Sequence, residues 1–178
     1  MAADDVLDNI RAEASRIEED AIHSGKGHLE AATTWRRVHL WLGVPAAVAS
    51  ALSALSVLTT TPAVTVTLSV IAAILTSLVT FLKPDAKASA HAASGNRYLA
   101  IRARARVFRT IDLLTGDDPK ALAGALTQLA ETRDQLNDAS EQIPPWAYKR
   151  AKEGIAVGEA THAADKLAKS GRRKSGAE

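Results

Sequence analysis

Five arginines stand close together in the stretch after residue 96, and they offer the strongest binding chemistry in the sequence. They are Arg97, Arg102, Arg104, Arg106 and Arg109. A guanidinium group donates two parallel hydrogen bonds to a phosphate or a carboxylate, so the cluster predicts contacts to an anionic ligand or to lipid headgroups. The alternative is a solvated helix face that pairs with acidic residues. No phosphate-binding loop accompanies the arginines, because SGKG at 24–27 is too short for one.

The other polar residues form no pattern that indicates catalysis or metal binding. The five histidines are dispersed without H-x-x-x-H or H-E-x-x-H spacing, and there is no cysteine. Ser89 and His91 are close in sequence but point to different faces of a helix. Lys and Arg (22) nearly balance Asp and Glu (20), and aromatic residues are few, which argues against a nucleic-acid partner. We therefore predict no enzyme activity, no metal site and no cofactor.

Charge is absent from the centre of the chain. No Asp, Glu, Lys or Arg occurs from Val38 to Leu82. This stretch contains two apolar segments, 40–59 and 63–82, and each would span roughly 30 Å as a helix, the thickness of a bilayer core. Pro62 suits the short connection between them. A buried pair in a soluble bundle is the alternative, but the rest of the chain would have to enclose both helices completely. We therefore predict a transmembrane hairpin over residues 35–83.

Basic residues flank this hairpin on one side only. Arg36 and Arg37 precede the first segment, Lys83 and Lys87 follow the second, and the connection carries no Lys or Arg. The positive-inside rule then predicts a multi-pass protein of the cell (inner) membrane with both termini in the cytoplasm. Trp35 and Trp41 lie near one end of the hairpin, where interfacial aromatic residues are common.

Small and hydroxyl-bearing residues form a stripe on each apolar segment. The predicted helix-packing face of the first is Gly43, Ala47, Ser50 and Ala54; the stripe of the second is Thr65, Ser69, Ala72, Thr76 and Thr80. Small residues allow helices to approach closely in lipid. Two interpretations of the second stripe remain open: helix packing with hydroxyls bonded to the preceding turn, or the wall of a pore formed by several copies.

Helical periodicity continues on both flanks of the hairpin. We predict a cytoplasmic amphipathic helix and lead-in over 1–34 with a break at 24–27, cytoplasmic helices over 84–169, and a disordered basic tail over 170–178. Pro84 predicts a helix restart, Gly116 a stop, Asp118–Pro119 a new start, and Pro145 a last helix to about residue 169. The predicted apolar faces are Leu7, Ile10, Ala14, Ile17 and Ala21; Ala90, Ser94, Tyr98, Ile101, Ala105, Phe108 and Ile111; and Leu122, Leu126, Leu129 and Leu136. The fold class is thus an all-α membrane protein with a cytoplasmic helical bundle, assembled as a homo-oligomer.

The order of these parts resembles the SLATT domain, the SMODS- and SLOG-associating two-transmembrane effector domain of bacteria. The resemblance covers about residues 5–168. It rests on the lead-in helix, the tight hairpin, the helix from Pro84 with Ala86, His91, Gly95 and Tyr98, and the closing segment PPWAYKRAKEGIAVGEATHAADK. It implies a membrane effector of a nucleotide-linked antiphage system that oligomerises and breaches the inner membrane. It also implies a trigger from a nucleotide second messenger or a separate sensor protein, and it supplies no catalytic residue.

Two functions follow as hypotheses. In the first, two-span protomers assemble in the inner membrane, and a change in the packing of the cytoplasmic helices opens a pore lined by the second spans. In the second, the hairpin is only an anchor, and the cytoplasmic helices form a scaffold that binds a partner protein.

Overall fold

The computed structural model describes residues 3–56, 62–116 and 118–162, and within these residues the chain is helical and contains no strand. The predicted hairpin connection and the predicted basic tail lie largely or wholly outside the described residues. The helices are α1 (Ala3–Ser56), α2 (Pro62–Leu82), α3 (Pro84–Val107), α4 (Leu113–Thr115), α5 (Pro119–Ala139) and α6 (Pro145–Ala156), with a π-helical segment at Phe108–Asp112 between α3 and α4. The all-α prediction is confirmed for these residues.

The described residues belong to two compact units. The core unit comprises Met1–Glu30 and Ser94–Glu178, and the hairpin unit comprises Ala31–Ala93.

The first helix is much longer than predicted. α1 continues for 54 residues, about 80 Å at 1.5 Å per residue, so the predicted break at 24–27 is wrong. The glycines there serve packing instead. A Cβ on Gly25 would lie 3.3 Å from the Cβ of Tyr98, and a Cβ on Gly27 would lie 3.0 Å from Cγ2 of Ile143. Glycine here permits close approach of neighbouring segments, and the helical hydrogen bonds continue through it.

The predicted helix restart at Pro84 is confirmed. Lys83 separates α2 from α3 and has a φ of 45°, in the left-handed region. Pro84 takes the first position of α3, where its missing N–H costs nothing, and its side chain is fully buried. The left-handed Lys83 therefore marks the boundary between the two helices.

The core unit is built around the apolar faces that periodicity predicts on α1, α3 and α5. One buried cluster contains Ile17, Ala21, Tyr98, Ile101, Ala105, Leu129 and Leu136. A second contains Ile10, Ala14, Phe108, Leu113 and Leu122. Ala147 and Ala151 of α6 are also buried. Contacts between helices that are distant in sequence therefore stabilise this unit, since each helix by itself is only weakly amphipathic.

One predicted core residue is placed wrongly, and the π-helical segment explains it. Ile111 is 53% exposed, whereas Leu113 is buried. A π-turn inserts about one extra residue per turn relative to an α-helix. The segment Phe108–Asp112 therefore rotates the chain so that Leu113 takes the core position that regular α-helical spacing gives to Ile111.

The ends of the last helices follow their capping residues, with one exception. Gly116 follows α4, and the Asp118 side chain caps α5 by accepting a hydrogen bond from the Lys120 N–H at 2.9 Å. α6 begins at Pro145 as predicted. It ends at Ala156, so the prediction of a helix to about residue 169 is wrong; the chain turns there, with Gly158 at a φ of 87°.

Two helical stretches of the described residues, Asp5–Ser56 and Pro62–Thr115, are long and apolar enough to cross a membrane, and the uncharged part of both lies in the hairpin unit. Only 17% and 6% of their most apolar 18-residue windows are buried. The large side chains Val44, Val48, Leu52, Leu55, Val66, Val70, Ile71, Ile74 and Leu78 are exposed, and Trp41 and Phe81 are 78% and 87% exposed. These helices therefore differ from core helices of a soluble protein, whose apolar surface lies inside the chain.

Candidate functional site

Four hydroxyl side chains hold α1 and α2 together in the hairpin unit, and we call them the hydroxyl cluster. Ser53 Oγ lies 2.7 Å from Ser69 Oγ, and Ser56 Oγ lies 2.6 Å from Thr65 Oγ1. Ser53 also donates to the carbonyl oxygen of Thr65 at 3.2 Å. As residue numbers rise along α1, their partners fall along α2. The two helices are therefore antiparallel, as a hairpin requires.

The predicted stripe on α2 is divided by this packing. Thr65 is half-buried, Ala72 is buried, and Ser69 bonds to α1, so these three residues contribute to the hairpin's internal contact. Thr76 and Thr80 are exposed, and the Thr80 hydroxyl donates to the Thr76 carbonyl at 2.9 Å. Only the last two residues are left to face another copy or a pore.

The predicted packing face of α1 does not pack inside the hairpin. Ala47, Ser50 and Ala54 are exposed, and nothing lies within 4 Å of a Cβ built on Gly43. The buried residues of this part of α1 are Ala46, Ala49, Ser53 and Ser56. Within the chain, α2 therefore packs on the adjacent face of α1; a helix-packing role for the predicted face stays a prediction.

Both exposed stripes lie on one side of the hairpin. Gly43, Ser50 and Ala54 stand at −3, +4 and +8 from the buried Ala46, and Thr76 and Thr80 stand at +4 and +8 from the buried Ala72. Residues at equal offsets from a reference residue stand at equal angles around the axis of a right-handed helix. Because the helices are antiparallel, the two rotations lead to the same side. We call these five residues the small-residue side.

The opposite side of the hairpin carries large apolar residues. Leu52 and Leu78 stand at +6 from Ala46 and Ala72, and both are exposed. Ile71 and Ile74 are also exposed on α2. The hairpin therefore presents one broad aliphatic surface and one surface of small residues and hydroxyls.

The five predicted arginines divide into two groups in the core unit. Arg102 donates to the carbonyl oxygen of Ala160 at 2.8 Å, and Arg109 pairs with Glu18 at 3.2 Å. Arg106 is half-buried. Arg97 and Arg104 are exposed and stand two helical turns apart on α3. The structure thus brings only Arg97 and Arg104 to a common groove.

This groove lies between α3 and α5 and has a volume of about 300 Å³. Arg97 and Arg104 border it on α3, and Thr132 and Gln135 border it on α5. Its floor is apolar and consists of Ala100, Ile101, Leu136 and Ala139. Arg104 also borders an adjoining groove with Asp112, Gln128 and Thr132. We call the first of these the arginine groove.

A second, more polar cavity of about 620 Å³ was not predicted from the sequence. It is lined by Glu19, Asp20, His23, Ser24, Tyr98, Arg133, Asn137, Tyr148 and Lys152. Its two carboxylates and two cations balance in formal charge. The rings of His23 and Tyr148 lie 6.4 Å apart at its wall. These residues come from α1, α3, α5 and α6, and no local spacing in the sequence brings them together.

Tyr98 is the most buried polar residue of this cavity. Its side chain is 3% exposed, and its hydroxyl donates to Oδ1 of Asn137 at 2.5 Å. Burial raises the pKa of the Tyr98 phenol above 10.0, and the Ser140 hydroxyl and the Arg133 charge oppose this increase. The phenol is therefore a neutral hydrogen-bonding group at physiological pH.

No family model matches the chain, and no curated protein or solved structure matches it either. The resemblance to the SLATT domain therefore stays a prediction, and the function has to be inferred from geometry. Within the described residues, no three His, Asp or Glu side chains meet in a geometry that could hold a metal ion.

Proposed function

We propose that this protein is a bacterial inner-membrane effector of the SLATT type, which oligomerises through its hairpin to form or gate a pore in an antiphage system. The observation that carries the proposal is the exposure of large apolar side chains on both helices of the hairpin unit. A continuous apolar surface of this kind is costly in water and favourable in a bilayer core. Its length of about 30 Å per helix matches that core.

The basic and aromatic residues of the hairpin unit support an orientation with both termini in the cytoplasm. The Lys87 ammonium lies 4.4 Å from the centre of the Trp35 ring. This contact joins the residues that precede the first span to those that follow the second, so both sets lie at one end of the hairpin. Lys and Arg favour the cytoplasmic side, and Trp favours the interface.

The small-residue side supports assembly through the hairpin. In lipid, helices associate where small residues allow their backbones to approach. Gly43, Ser50, Ala54, Thr76 and Thr80 provide such a surface outside the hairpin's own contact. In a ring of copies, the same uncharged hydroxyl groups would face a narrow pore, and no buried charge would select the permeating ion.

Dye-loaded liposomes test this proposal. The full chain, reconstituted into liposomes, is expected to release dye or ions in proportion to protein content, either at rest or after addition of a nucleotide. Cross-linking in the same liposomes is expected to yield oligomers. A chain that remains in the supernatant after ultracentrifugation without detergent contradicts the membrane assignment itself.

A membrane-anchored scaffold is the second candidate. It is favoured by the exposure of Trp146, Tyr148 and Val157 in and after α6, since exposed aromatic residues are frequent in protein interfaces. Liposomes that contain correctly oriented protein and remain tight under every nucleotide tested would support the scaffold over the pore.

A further inference from the structure

Arg97 and Arg104 form no ion pair within the part of the chain that the structure describes, and both border the same groove. Arg11 pairs with Asp8, Arg16 with Glu13 and Arg109 with Glu18. Arg133 pairs with Asp134 and Asp20. Arg102 bonds to the Ala160 carbonyl oxygen, and neither Arg106 nor Arg150, which also lack an ion pair among the described residues, lines this groove.

Among the residues that the structure describes, no carboxylate lines the groove that Arg97 and Arg104 border. Its other polar residues are Thr132 and Gln135, which supply a hydroxyl and an amide. Asp112 lines only the adjoining groove beside Arg104. The lining of the arginine groove therefore carries two positive charges, and the Gln135 amide supplies an uncharged hydrogen-bond donor on the opposite wall.

The floor of the groove indicates that the ligand has an apolar or planar part. Ile101 and Leu136 are buried beneath it, and Ala100 and Ala139 extend the floor. The volume of about 300 Å³ lies at the lower end of the range for small-molecule sites. A bare inorganic ion would leave most of this surface uncovered.

We propose that the arginine groove binds an organic phosphate. The guanidinium groups of Arg97 and Arg104 hold the phosphate oxygens, the Gln135 amide donates to the same or a neighbouring group, and the apolar part lies on Ile101 and Leu136. The Thr132 hydroxyl donates to the Gln128 carbonyl at 2.8 Å and therefore offers the ligand an acceptor. A free nucleotide and an anionic lipid headgroup share this chemistry. The site goes beyond the proposed function, because it is formed by the core unit and does not require a pore.

Binding measurements on the full chain in neutral detergent test the proposal. The soluble probes are pyrophosphate and ATP, and the lipid probes are nanodiscs of phosphatidylcholine alone or of equal parts phosphatidylcholine and phosphatidylglycerol. We expect saturable binding that weakens with salt. The double variant Arg97→Gln plus Arg104→Gln should weaken it about tenfold or more, since hydrogen bonds to charged groups contribute strongly. The double variant Arg97→Lys plus Arg104→Lys should retain part of it, because the charge remains but the bidentate geometry is lost.

The matched control is Arg11→Gln plus Arg16→Gln, which removes two exposed charges from another helix of the same unit. It should bind as the unchanged protein does. Binding of ATP in detergent would identify a free organic phosphate as the ligand, whereas binding restricted to phosphatidylglycerol nanodiscs would identify a lipid headgroup. The proposal is overturned if the unchanged protein binds none of the probes at physiological salt. It is also overturned if both double variants of Arg97 and Arg104, the one with Gln and the one with Lys, fold and bind as tightly as the control.

Discussion

The α-carbon of Gly95 stands so close to α1 that a Cβ on it would lie 3.1 Å from the carbonyl oxygen of Gly25. The same Cβ would lie 2.9 Å from Cγ of Leu29. α1 and α3 therefore approach through a pair of glycines in the core unit. The role of Gly25 in α1 is therefore to permit this contact, because a side chain there would separate the two helices.

Gly95→Ala should therefore destabilise the protein, by about 1–3 kcal/mol, because the added methyl group overpacks a contact that includes backbone. Gly124→Ala is the matched control, since nothing lies within 4 Å of a Cβ at that position on α5. The control should stabilise α5 by up to about 1 kcal/mol. Thermal unfolding followed by circular dichroism in detergent measures both, and equal melting temperatures for the two variants would contradict the packing role of Gly95.

Helix boundaries in this protein were predictable where one residue fixes the local backbone. Pro84, Gly116, Asp118 and Pro145 each mark the end or the start that the structure shows. The prediction of a helix break at 24–27 was wrong. A glycine can end a helix or allow a neighbouring segment to approach closely, and only the contacts with that segment decide which of the two occurs. The register change at Phe108–Asp112 has no signal of its own in the sequence.

The hydroxyl cluster should contribute measurably to hairpin stability. The pair Ser53 and Ser69 bridges α1 and α2 at 2.7 Å, and hydrogen bonds between membrane helices contribute on average about 0.6 kcal/mol. A double-mutant cycle with Ser53→Ala and Ser69→Ala, measured by reversible unfolding in mixed micelles, should give a coupling of this size. Ser50→Ala with Ser77→Ala serves as control, because each hydroxyl bonds only to its own helix; a coupling there equal to that of the bridging pair would exclude a specific contact.

Tyr98 should ionise at higher pH in the folded protein than in the unfolded chain. Burial raises its pKa above 10.0, so the unfolded state loses its proton first as the pH rises. The stabilisation from the neutral phenol is fully present below about pH 10 and is lost above it. Tyr148→Phe leaves Tyr98 as the one tyrosine, since the sequence contains two. Its tyrosinate absorbance, titrated in native and in denaturing buffer, should show the higher midpoint under native conditions. Equal midpoints would contradict burial.

The arginine groove shows what could be read from the sequence and what could not. The cluster Arg97–Arg109 was visible as a concentration of charge, and the preference for an anion follows from guanidinium chemistry. The selection of Arg97 and Arg104 depends on distant residues, because Glu18 and the Ala160 carbonyl bind the neighbouring arginines. Thr132 and Gln135 lie on another helix and have no individual signal. The packing face of α1 in the hairpin could not be predicted either, because several faces of this helix carry small residues and only the contact with α2 selects one of them.

Enlarging the exposed hydroxyl positions of α2 should change ion flux if the small-residue side forms a pore. Thr76→Leu plus Thr80→Leu adds bulk and removes two hydroxyls from that side, and both residues lie outside the hairpin's internal contact. We expect lower dye or ion release from liposomes, by about tenfold, with the oligomer retained on cross-linking, because a narrow pore is sensitive to diameter and wetting. Thr67→Leu is the matched control: its hydroxyl also bonds only to the preceding turn, at 2.8 Å to the Ala63 carbonyl, and it faces away from the small-residue side. Release that is unchanged in the double variant would assign the lining to another face, and equal loss in the Thr67 variant would indicate a general effect of bulk in the helix.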